Sequence, residues 1–594
     1  MPYVADFETT TDPSDCRVWA YAISDIDNPD NILVGNSIEK FMEWCNWKSK
    51  NATVYFHNLK FDGGFIIDYL LKNGFTHTTT IEEQKTNTFN TLISDSGLFY
   101  QIEVIFWKNG RYVKKVKFQD SLKILPMPVE KIAKAFKLPF QKLELDYTTY
   151  RPVNHILTKE EYDYIKNDVK IVATALKFLI SQGMTKMTTA SNALNEYKTI
   201  INPKNFERWF PIPTYDNEVR PSYKGGFTYL NPLYKEVDVG YGIVLDVNSL
   251  YPSVMYYSLL PYGDPIFFEG KYEKDDEYPL YIQKFTCQFE VKPGHIPTIQ
   301  LKGNRHFLAT EYVTSSNDLD VTLSLTNVDF DLFMEHYNVY NIEYEYGYKF
   351  KGAHDMFKDY IDKWSEAKIN AKKEDNGGLY TLAKLMLNSL YGKFATAPFV
   401  RSKIPYLDDD VVKYHYSDYE DKDPIYVPMA SFITSYARNK TIRSAQKVYN
   451  LFCYADTDSL HLNLKLPDNL LKLSSKELEN LTTKDLIENG VDIPEDFEVD
   501  PTKLGAWKIE STFNRAKFLR QKSYVEDSNL PDTWGTKDYN PSLLKITCAG
   551  MPAKCHKYVT FDNFKLGTIY SGKLQPKIVP GGVVLMDVDF TIKI

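Results

Sequence analysis

Two acidic motifs in this chain each place a pair of carboxylates two residues apart, next to a short apolar segment. The first motif is Asp6-Phe7-Glu8, and the second is Asp456-Thr457-Asp458. The apolar segments predict strands, and because strand side chains alternate between faces, Asp6 and Glu8 point the same way. Sites that combine a few carboxylates with water and substrate phosphate suit Mg²⁺ or Mn²⁺.

Two motifs of this kind in one chain indicate two phosphodiester sites. A pair of divalent ions about 4 Å apart can clamp the attacking and leaving oxygens of a phosphodiester during in-line displacement. We therefore predict one site that makes DNA and one that trims it, with two divalent ions at each.

The N-terminal motif has candidate partners on two later segments. Asp62 follows a second short predicted strand, whereas Tyr164 and Asp168 lie four residues apart on one face of a predicted helix. Four acids from three elements could hold two metal ions, with the Tyr164 hydroxyl orienting the attacking water. A lone D-x-E is more often a solvated strand end. The ordered combination of D-F-E, N-x-x-x-D and Y-I-K-N-D favours the site.

The second motif has a candidate partner far upstream. Asp246 ends an apolar strand, and Asp456 and Asp458 flank a predicted hairpin turn. If these segments converge, Asp246 and Asp458 would bind two metal ions, with the Val247 carbonyl oxygen as a further ligand and Asp456 as a close neighbour. Alone, Asp-Thr-Asp is more simply a turn stabilised by side-chain hydrogen bonds to the backbone.

A third group of candidates lies on a predicted helix between these segments. Lys384, Asn388 and Tyr391 fall at i, i+4 and i+7, on one helix face. Such a row could grip a triphosphate and stack on the nascent base pair, since cations are needed where charge develops on phosphate. Gly392 would let a base approach the backbone closely. The alternative is an amphipathic helix whose lysine is simply exposed.

Composition restricts the function classes without selecting one. The 594 residues predict about four domains, and the net charge of −8 weighs against a protein that coats nucleic acid regardless of sequence. Local basic stretches occur at 108–117, 131–137 and 503–522, although such runs are usually solvated faces. Scattered cysteines without zinc-ligand spacing fit a reducing cytoplasm. We expect neither a secretion signal nor a membrane span.

The order of predicted elements indicates a multidomain chain of α/β and α+β parts. Residues 1–186 alternate between strands and helices, which predicts a mixed sheet flanked by helices. Residues 258–355 contain short strand-like runs and predict an inserted α+β module. Residues 355–394 predict a helical hairpin, and residues 468–500 predict a helical surface insertion.

Together these motifs resemble those of family B DNA polymerases. Three segments resemble the family's motifs A, B and C: residues 246–252, 384–392 and 454–459. Lys522-Ser523-Tyr524 resembles the K-x-Y element, and D-F-E, H-N-L-K-F-D and Y-I-K-N-D resemble the three exonuclease motifs, in the family's order. Segments at 16–21 and 580–585 extend the resemblance to the protein-primed polymerases of small Bacillus phages, the type used for strand-displacement amplification.

The resemblance implies an RNase H-like 3′–5′ exonuclease domain followed by a right-hand polymerase with two inserted subdomains. The implied divisions are the exonuclease (1–186), palm (187–257 and 425–548, including the insertion 468–500), first insertion (258–355), fingers (356–394), second insertion (395–424) and thumb (549–594). The first insertion would dock a terminal protein whose hydroxyl receives the first nucleotide. The second would close around DNA and support processivity and strand displacement.

The implied partners follow from the same resemblance. They are primer-template DNA, dNTPs, the terminal protein primer, and single-stranded DNA at the exonuclease site. The metal ion would be Mg²⁺, with Mn²⁺ able to substitute. The implied protein is a virus-encoded monomer in the cytoplasm of a bacterial host, without membrane attachment.

The resemblance also assigns roles around the nucleotide. Tyr251 would be the steric gate that stacks on the sugar and rejects a 2′-OH. Lys384, assisted by Lys368, would bind the incoming triphosphate. Asn388 and Tyr391 would line the nascent base pair.

Implied DNA contacts fall into four groups. Lys522 and Tyr524 would hold the primer terminus, and Lys142 with Tyr164 would assist hydrolysis. The element that would partition the primer between the sites comprises Tyr223, Gly225 and Gly226. The frayed single strand would contact Thr9, His57, Asn58, Phe61, Ser121 and Leu122.

Three interpretations remain open at this point. The chain is a replicative polymerase with proofreading and protein priming, a non-catalytic scaffold that holds DNA and a terminal protein, or a polymerase with a different nucleotide preference. The intact carboxylates argue against the scaffold, and Tyr251 is the residue that distinguishes the third. One departure from the resemblance is Tyr380, which stands where relatives carry a second phosphate-binding lysine.

Overall fold

The N-terminal part of the chain folds around an eight-stranded mixed sheet. The computed structural model describes residues 2–47, 51–301 and 312–593. The strands of this sheet are β1 (Pro2–Thr9), β2 (Val18–Asp25), β3 (Ile32–Gly35), β4 (Ala52–Phe56), β5 (Thr76–His77), β6 (Thr88–Ile93), β7 (Phe99–Asn109) and β8 (Tyr112–Asp120). They lie in the order β3-β2-β1-β4-β8-β7-β6-β5. Neighbouring β1, β4 and β8 are parallel, whereas β2 and β7 are antiparallel to them.

Helices cover both faces of this sheet. They are α1 (Ile38–Trp47), α2 (Leu59–Lys72), α3 (Val129–Ala135) and α4 (Lys159–Ser181). Ala5 and Phe7 of β1 share a core with α1 and α2, whereas Val4 belongs to the core that contains α4. The capping box at the start of α4 is present, because Thr158 and Glu161 each accept a hydrogen bond from the other's backbone N–H. The predicted mixed sheet flanked by helices is confirmed.

The next segment connects this sheet to the centre of the molecule. Its elements are α5 (Thr189–Ile201), α6 (Pro203–Trp209), α7 (Asp216–Val219), β9 (Thr228–Leu230), β10 (Asp238–Val239), β11 (Gly242–Val247) and α8 (Leu250–Tyr257). The apolar strand predicted before Asp246 is β11, and its interior is buried.

An α+β module follows, as predicted. It contains β12 (Leu260–Glu269), β13 (Leu280–Val291), β14 (Val321–Thr326), α9 (Asn327–His336) and β15 (Tyr337–Ala353), and its strands lie in the order β12-β15-β13-β14. The prediction of short strands is wrong, since β13 has 12 residues and β15 has 17. Long pairing with β15 stabilises β13, whose buried side chains pack on α9. Residues 302–311 of the predicted insertion lie outside the described ranges.

The predicted helical hairpin consists of α10 (Lys358–Lys373) and α11 (Gly377–Ser389). Four short strands then form two hairpin-like pairs: β16 (Phe399–Val400), β17 (Lys403–Asp408), β18 (Val411–Tyr416) and β19 (Glu420–Asp421). The long helix α12 (Val427–Lys447) is buried along most of its length. In the described part of the chain, no helix has both the length and the apolar character needed to cross a membrane.

The remaining elements complete two sheets and a terminal hairpin. They are β20 (Phe452–Asp456), β21 (Ser459–Leu462), α13 (Asp468–Leu471), α14 (Ser475–Leu478), α15 (Thr483–Glu488), β22 (Trp507–Phe513), β23 (Arg515–Arg520), β24 (Ser523–Asp527), β25 (Leu544–Cys548), α16 (Ala553–His556), β26 (Ile569–Val579) and β27 (Gly582–Thr591). A five-stranded central sheet has the order β22-β11-β21-β20-β9, and a four-stranded sheet has the order β10-β23-β24-β25. The predicted helical insertion at 468–500 contains three short helices.

The turn between β26 and β27 reaches back to the N-terminal region. The Gly581 N–H donates a 3.1 Å hydrogen bond to the Asp68 carboxylate on α2. Val583 packs in the same core as Phe65 of α2, and the β17–β18 hairpin adds Val412 to that core. Three parts of the chain that are distant in sequence therefore meet at α2.

Candidate active sites

The N-terminal set of carboxylates (Asp6, Glu8, Asp62 and Asp168) is gathered from three elements. Asp6 and Glu8 lie on β1, Asp62 lies in the first turn of α2, and Asp168 lies on α4. Because Val4 packs in the core that contains α4, the alternation of β1 turns Asp6 and Glu8 toward the same helix. Glu8, Asp62 and Asp168 are each at most 5% exposed. The structure thus brings together all four acids of the predicted set.

Burial and crowding shift the acidity of this set. Burial, followed by the charge of Asp168, raises the pKa of Asp6 to about 7. Burial also raises the pKa of Glu8 and of Asp62, and the charge of Asp6 is the second cause for both. Buried carboxylates that repel one another are stabilised in their charged form by a nearby cation.

Two oxygens of this set, Asp62 Oδ1 and Asp168 Oδ1, are buried without a hydrogen-bond partner. Such oxygens call for a cation or a donor, and hard oxygen ligands suit Mg²⁺ or Mn²⁺. The other Asp168 oxygen is ion-paired with the Lys142 ammonium. Within the described ranges, no three His, Cys, Asp or Glu side chains stand close enough to hold a metal ion as a group. The residues therefore fit a divalent cation by donor type, and binding it would require these side chains to draw closer.

Tyr164 precedes Asp168 by one turn of α4 and is 3% exposed. Burial, followed by the charge of Glu8, raises its pKa, so its hydroxyl stays protonated and can donate a hydrogen bond. The Tyr164 hydroxyl lies 2.8 Å from the Tyr147 hydroxyl, and the Lys142 ammonium lies 5.1 Å from the centre of the Tyr164 ring. Tyr147 was missed from the sequence because it lies in a segment without regular structure.

The residues predicted to bind a single strand lie on or beside the elements that carry the N-terminal set. These residues are Thr9 at the end of β1, His57 and Asn58 before α2, Phe61 in its first turn, and Ser121 and Leu122 after β8. His57 Nδ1 lies 3.0 Å from Ser121 Oγ. The buried Asp120 carboxylate accepts hydrogen bonds of 3.0 Å from the backbone N–H of Asn58 and of Leu122. Asp120 therefore holds both segments in place. Its only sequence signal was its position directly before the helical turn that it caps.

The central set (Asp246, Asp456 and Asp458) lies at the ends of adjacent strands. Ser459 of β21 is the register partner of Asp246 on one side and of Asp456 on the other. The Val247 N–H donates a 2.7 Å hydrogen bond to the Asp458 carbonyl oxygen. The distant segments that carry Asp246 and Asp458 are therefore joined by the main chain, as the sequence predicted.

The central set is half-buried and its acidity is also shifted. Burial, followed by the charge of Asp458, raises the pKa of Asp246 to about 7. Burial likewise raises the pKa of Asp458. Asp456 accepts a 2.9 Å hydrogen bond from the Thr228 hydroxyl, and the Lys522 ammonium lies 3.7 Å from the same carboxylate.

The candidate nucleotide-binding residues lie beside this set. The rings of Tyr251 and Tyr391 stack with centroids 4.0 Å apart. Lys384 and Asn388 are exposed on α11, and Lys368 is half-buried on α10. The prediction that Tyr391 continues the same α-helix is wrong, because α11 ends at Ser389. Tyr391 begins a 3₁₀ turn that aims its ring at Tyr251. Beside it, Gly392 faces open space.

The segment at residues 223–226 passes along the turn of the central set. Arg438 of α12 donates hydrogen bonds to the carbonyl oxygens of Lys224 and Gly225, at 2.9 and 2.8 Å. Gly226 lies against Thr457, the residue between Asp456 and Asp458. Gly225 faces open space, and the preceding Tyr223 is half-buried.

The K-x-Y element also contacts the central set. The Lys522 N–H donates a 2.9 Å hydrogen bond to the Tyr454 hydroxyl, two residues before Asp456. The Tyr524 ring lies 5.1 Å from the Tyr454 ring. The four-stranded sheet that carries Lys522 and Tyr524 is therefore seated on the strand that leads to Asp456.

Comparison with known proteins identifies the family. Residues 44–157 and 144–476 match the family described as DNA polymerase type B, organellar and viral. The chain is 47% identical to the DNA polymerase of Bacillus phage Nf and 46% identical to that of Bacillus phage phi29, over 100% of this chain and 99% of each relative. The chain belongs to the phi29-type DNA polymerases of type B.

This polymerase shares its fold with phi29 DNA polymerase over its whole length. It matches phi29 DNA polymerase complexed with primer-template DNA and incoming nucleotide substrates with a TM-score of 0.87 and 45% identity, covering 100% of both chains. It matches phi29 DNA polymerase complexed with single-stranded DNA at the same TM-score. The predicted multidomain fold of α/β and α+β parts is confirmed.

Two charged residues of β22 lie near the central set of this polymerase but were not predicted as site residues from the sequence. Lys508 is the register partner of Asp246, on the side of β11 opposite to β21. Glu510, two residues later, adds negative charge that acts on both Asp246 and Asp458. The basic stretch at 503–522 was the only signal, and a charge run does not reveal which strand it pairs with.

Proposed function

We propose that this polymerase replicates a linear phage-type genome by protein priming, proofreads with a separate 3′–5′ exonuclease site, and displaces the downstream strand. One observation carries the two-site part of the proposal. Two carboxylate sets lie at different sheets and the helices that pack on them, and burial and mutual repulsion raise the pKa of members of each. Shifted acidity of this kind is typical of sites that bind cations and perform chemistry.

Polymerisation is assigned to the central set. Asp246, Asp458 and the Val247 carbonyl oxygen would hold Mg²⁺ or Mn²⁺, with Asp456 alongside. When bound, two such ions stabilise the attacking and leaving oxygens of the phosphoryl transfer. Lys368 and Lys384 would neutralise the triphosphate.

The neighbouring residues of this site would select and align the substrates. Tyr251 would stack on the sugar and exclude a 2′-OH, and its position is supported by the stack with Tyr391. Tyr391 and Asn388 would line the nascent pair, and the open space at Gly392 supports close approach of a base. Lys522 and Tyr524 would hold the primer terminus next to Asp456.

Proofreading is assigned to the N-terminal set. Asp6, Glu8, Asp62 and Asp168 would hold the metal ions, and the orphaned oxygens of Asp62 and Asp168 support that role. The protonated Tyr164 hydroxyl would orient the attacking water. The Lys142 ammonium would offset part of the negative charge of the carboxylates.

The proofreading site also needs a way to receive the frayed strand. That strand would lie along Thr9, His57, Asn58, Phe61, Ser121 and Leu122. The element with Tyr223, Gly225 and Gly226 would partition the primer between the sites, and its contact with Thr457 supports this role.

The remaining assignments rest on the similarity to phi29-type relatives. Residues 258–355 would dock a terminal protein, and residues 395–424 would close around DNA and open the downstream duplex. The meeting of the β17–β18 hairpin, the β26–β27 hairpin and α2 supports an enclosing role. The proposed divisions are exonuclease 1–186, palm 187–257 and 425–548, fingers 356–394 and thumb 549–594. The protein would act as a monomer in the cytoplasm of a bacterial host.

Separation of the two sites is tested with Asp458→Ala and Asp6→Ala. We expect Asp458→Ala to lose primer extension by about a thousandfold or more while it still releases nucleotides from labelled single-stranded DNA. Asp6→Ala should show the reverse. Equal loss of both activities in either variant, with an unchanged unfolding temperature, would contradict two independent sites. Asp468→Ala, an exposed position on α13, is the matched control.

Protein priming needs a separate experiment. The polymerase is mixed with the candidate terminal protein, labelled dATP and Mg²⁺ or Mn²⁺, without any DNA primer. A covalent protein–nucleotide adduct that requires Asp458 would support the proposal. An active polymerase that forms no adduct with any of the four labelled dNTPs would contradict it.

A further inference from the structure

We propose that Lys508 is a third phosphate-binding lysine of the polymerisation site, where it contacts the phosphates of the incoming nucleotide beside Lys368 and Lys384. This inference rests on the assignment of polymerisation to the central set. Lys508 lies on β22, outside the helices that carry the other two lysines.

Strand register places Lys508 next to the catalytic carboxylates. β22 pairs antiparallel with β11, and Lys508 is directly opposite Asp246. Side chains directly opposite in an antiparallel pair share one face of the sheet, with Cβ atoms about 4.5–5.5 Å apart. Lys508 therefore emerges on the same face as Asp246, and it is half-buried there.

The three lysines form a cationic cluster whose charges interact with Asp246 without a direct ion pair. Among the described residues, none of Lys368, Lys384 and Lys508 has a carboxylate within ion-pair distance of its ammonium group. Burial, followed by the charges of Lys384 and Lys508, lowers the pKa of Lys368. Their mutual repulsion, with Lys368 and Lys508 half-buried, favours an anionic ligand.

An alternative role for Lys508 is to neutralise Asp246 when no nucleotide is bound. The charge of Lys508 does act on Asp246. However, the two groups form no ion pair within 4.0 Å, although they are neighbours in register. A triphosphate presents several charged oxygens and suits a lysine, which binds phosphate as a point charge. The arrangement thus points to the nucleotide phosphates as the ligand of Lys508.

The test compares Lys508→Ala with Lys503→Ala. Lys503 lies five positions earlier, is exposed and is ion-paired with Glu498. Binding of dNTP is measured at equilibrium on a dideoxy-terminated primer-template, together with single-nucleotide insertion, inhibition by pyrophosphate, and the Mg²⁺ concentration for half-maximal rate. For Lys508→Ala we expect dNTP affinity and pyrophosphate inhibition to weaken about tenfold, as for loss of one charge-assisted contact. Lys503→Ala should keep the wild-type dNTP affinity and pyrophosphate inhibition. The Mg²⁺ concentration for half-maximal rate should be the same in Lys508→Ala as in the wild type.

Several outcomes would overturn the proposal. Unchanged dNTP affinity would do so, and so would an effect confined to the Mg²⁺ dependence, which indicates neutralisation of Asp246 instead. Lys508→Arg keeps the charge and should retain most of the affinity; a loss equal to that of Lys508→Ala would also count against it. The exonuclease activity of the same preparation shows whether the variant is folded. If that activity falls, Lys508→Met is tested in place of Lys508→Ala. Failure of the central-set assignment is recognised separately, by primer extension that survives Asp458→Ala.

Discussion

Gly226 leaves no room for a side chain beside Thr457, because a Cβ at Gly226 would lie 2.6 Å from the Thr457 hydroxyl oxygen. The Thr457 N–H also donates a 2.6 Å hydrogen bond to the Phe227 carbonyl oxygen. The segment that enters the central sheet is therefore held against the turn between Asp456 and Asp458. Any shift of this segment must move that turn.

This contact predicts that a methyl group at Gly226 shifts the balance between polymerisation and hydrolysis. Gly226→Ala should push Thr457 away and lower primer extension about tenfold, the result of about 1–2 kcal/mol of strain at the turn. Hydrolysis of single-stranded DNA should be retained, so the ratio of the two activities shifts toward the exonuclease. Gly240→Ala, at an exposed glycine that faces open space outside the partitioning element, is the control and should keep the wild-type ratio. Equal ratios in both variants would show that the contact does not matter.

The stack of Tyr251 on Tyr391 predicts the basis of sugar selection. Tyr251→Val removes the ring that would lie against the sugar, so discrimination against ribonucleotides should fall by about tenfold to a hundredfold. Tyr251→Phe keeps the ring and should keep the discrimination. The measurement is the ratio of kcat/KM for a dNTP and the matching rNTP. Undiminished discrimination in Tyr251→Val would refute the steric role.

The raised pKa of Asp246 predicts how stability depends on pH. With a folded-state pKa of about 7 against an ordinary value of 3.8, the Asp246 carboxyl is more protonated in the folded chain than in the unfolded chain between these two values. The contribution of Asp246 to stability without metal should therefore fall as pH rises through this window. Asp246→Asn should stabilise the metal-free protein by about 1–3 kcal/mol near pH 8, and by much less near pH 5.

Calorimetry without metal ions measures this effect through the unfolding temperature. Asp468→Asn, on the exposed face of α13, serves as the control and should show no such pH dependence. Added Mg²⁺ should raise the unfolding temperature of the wild type more than that of Asp246→Asn, since a ligand stabilises the state that binds it. A constant difference between variant and wild type at both pH values would contradict the assignment.

Asp120 is expected to act as a positioning residue for the single strand. Asp120→Ala removes the acceptor of the Asn58 and Leu122 N–H groups, which costs about 1–2 kcal/mol of local order. The KM for hydrolysis of single-stranded DNA should rise about tenfold, with a smaller change in kcat. Asp500→Ala removes a carboxylate that also accepts backbone N–H groups but lies beside β22 of the central sheet, and it should leave the KM unchanged. A fall in kcat alone would contradict the positioning role.

Local patterns in the sequence predicted most elements that carry the candidate sites. Alternation predicted that Asp6 and Glu8 share a face, and the Thr158 capping box located the start of α4. Features that depend on pairing between distant strands were not predictable in this way. Lys508 faces Asp246 only because β22 joins β11, and the length of β15 depends on β13. The end of α11 before Tyr391 was missed, since helical spacing continues in the sequence past the last helical residue.

The contact between Gly581 and Asp68 spans 513 positions of the chain. At about 5–20 residues per second, ribosomes need roughly half a minute or more to synthesise the intervening segment. Throughout that time the apolar patch around Phe65 on α2 lacks Val583, which packs in the same core. A nascent chain of this polymerase therefore exposes an apolar surface that chaperones and other nascent chains can bind. Slowing translation should lower the yield of folded enzyme.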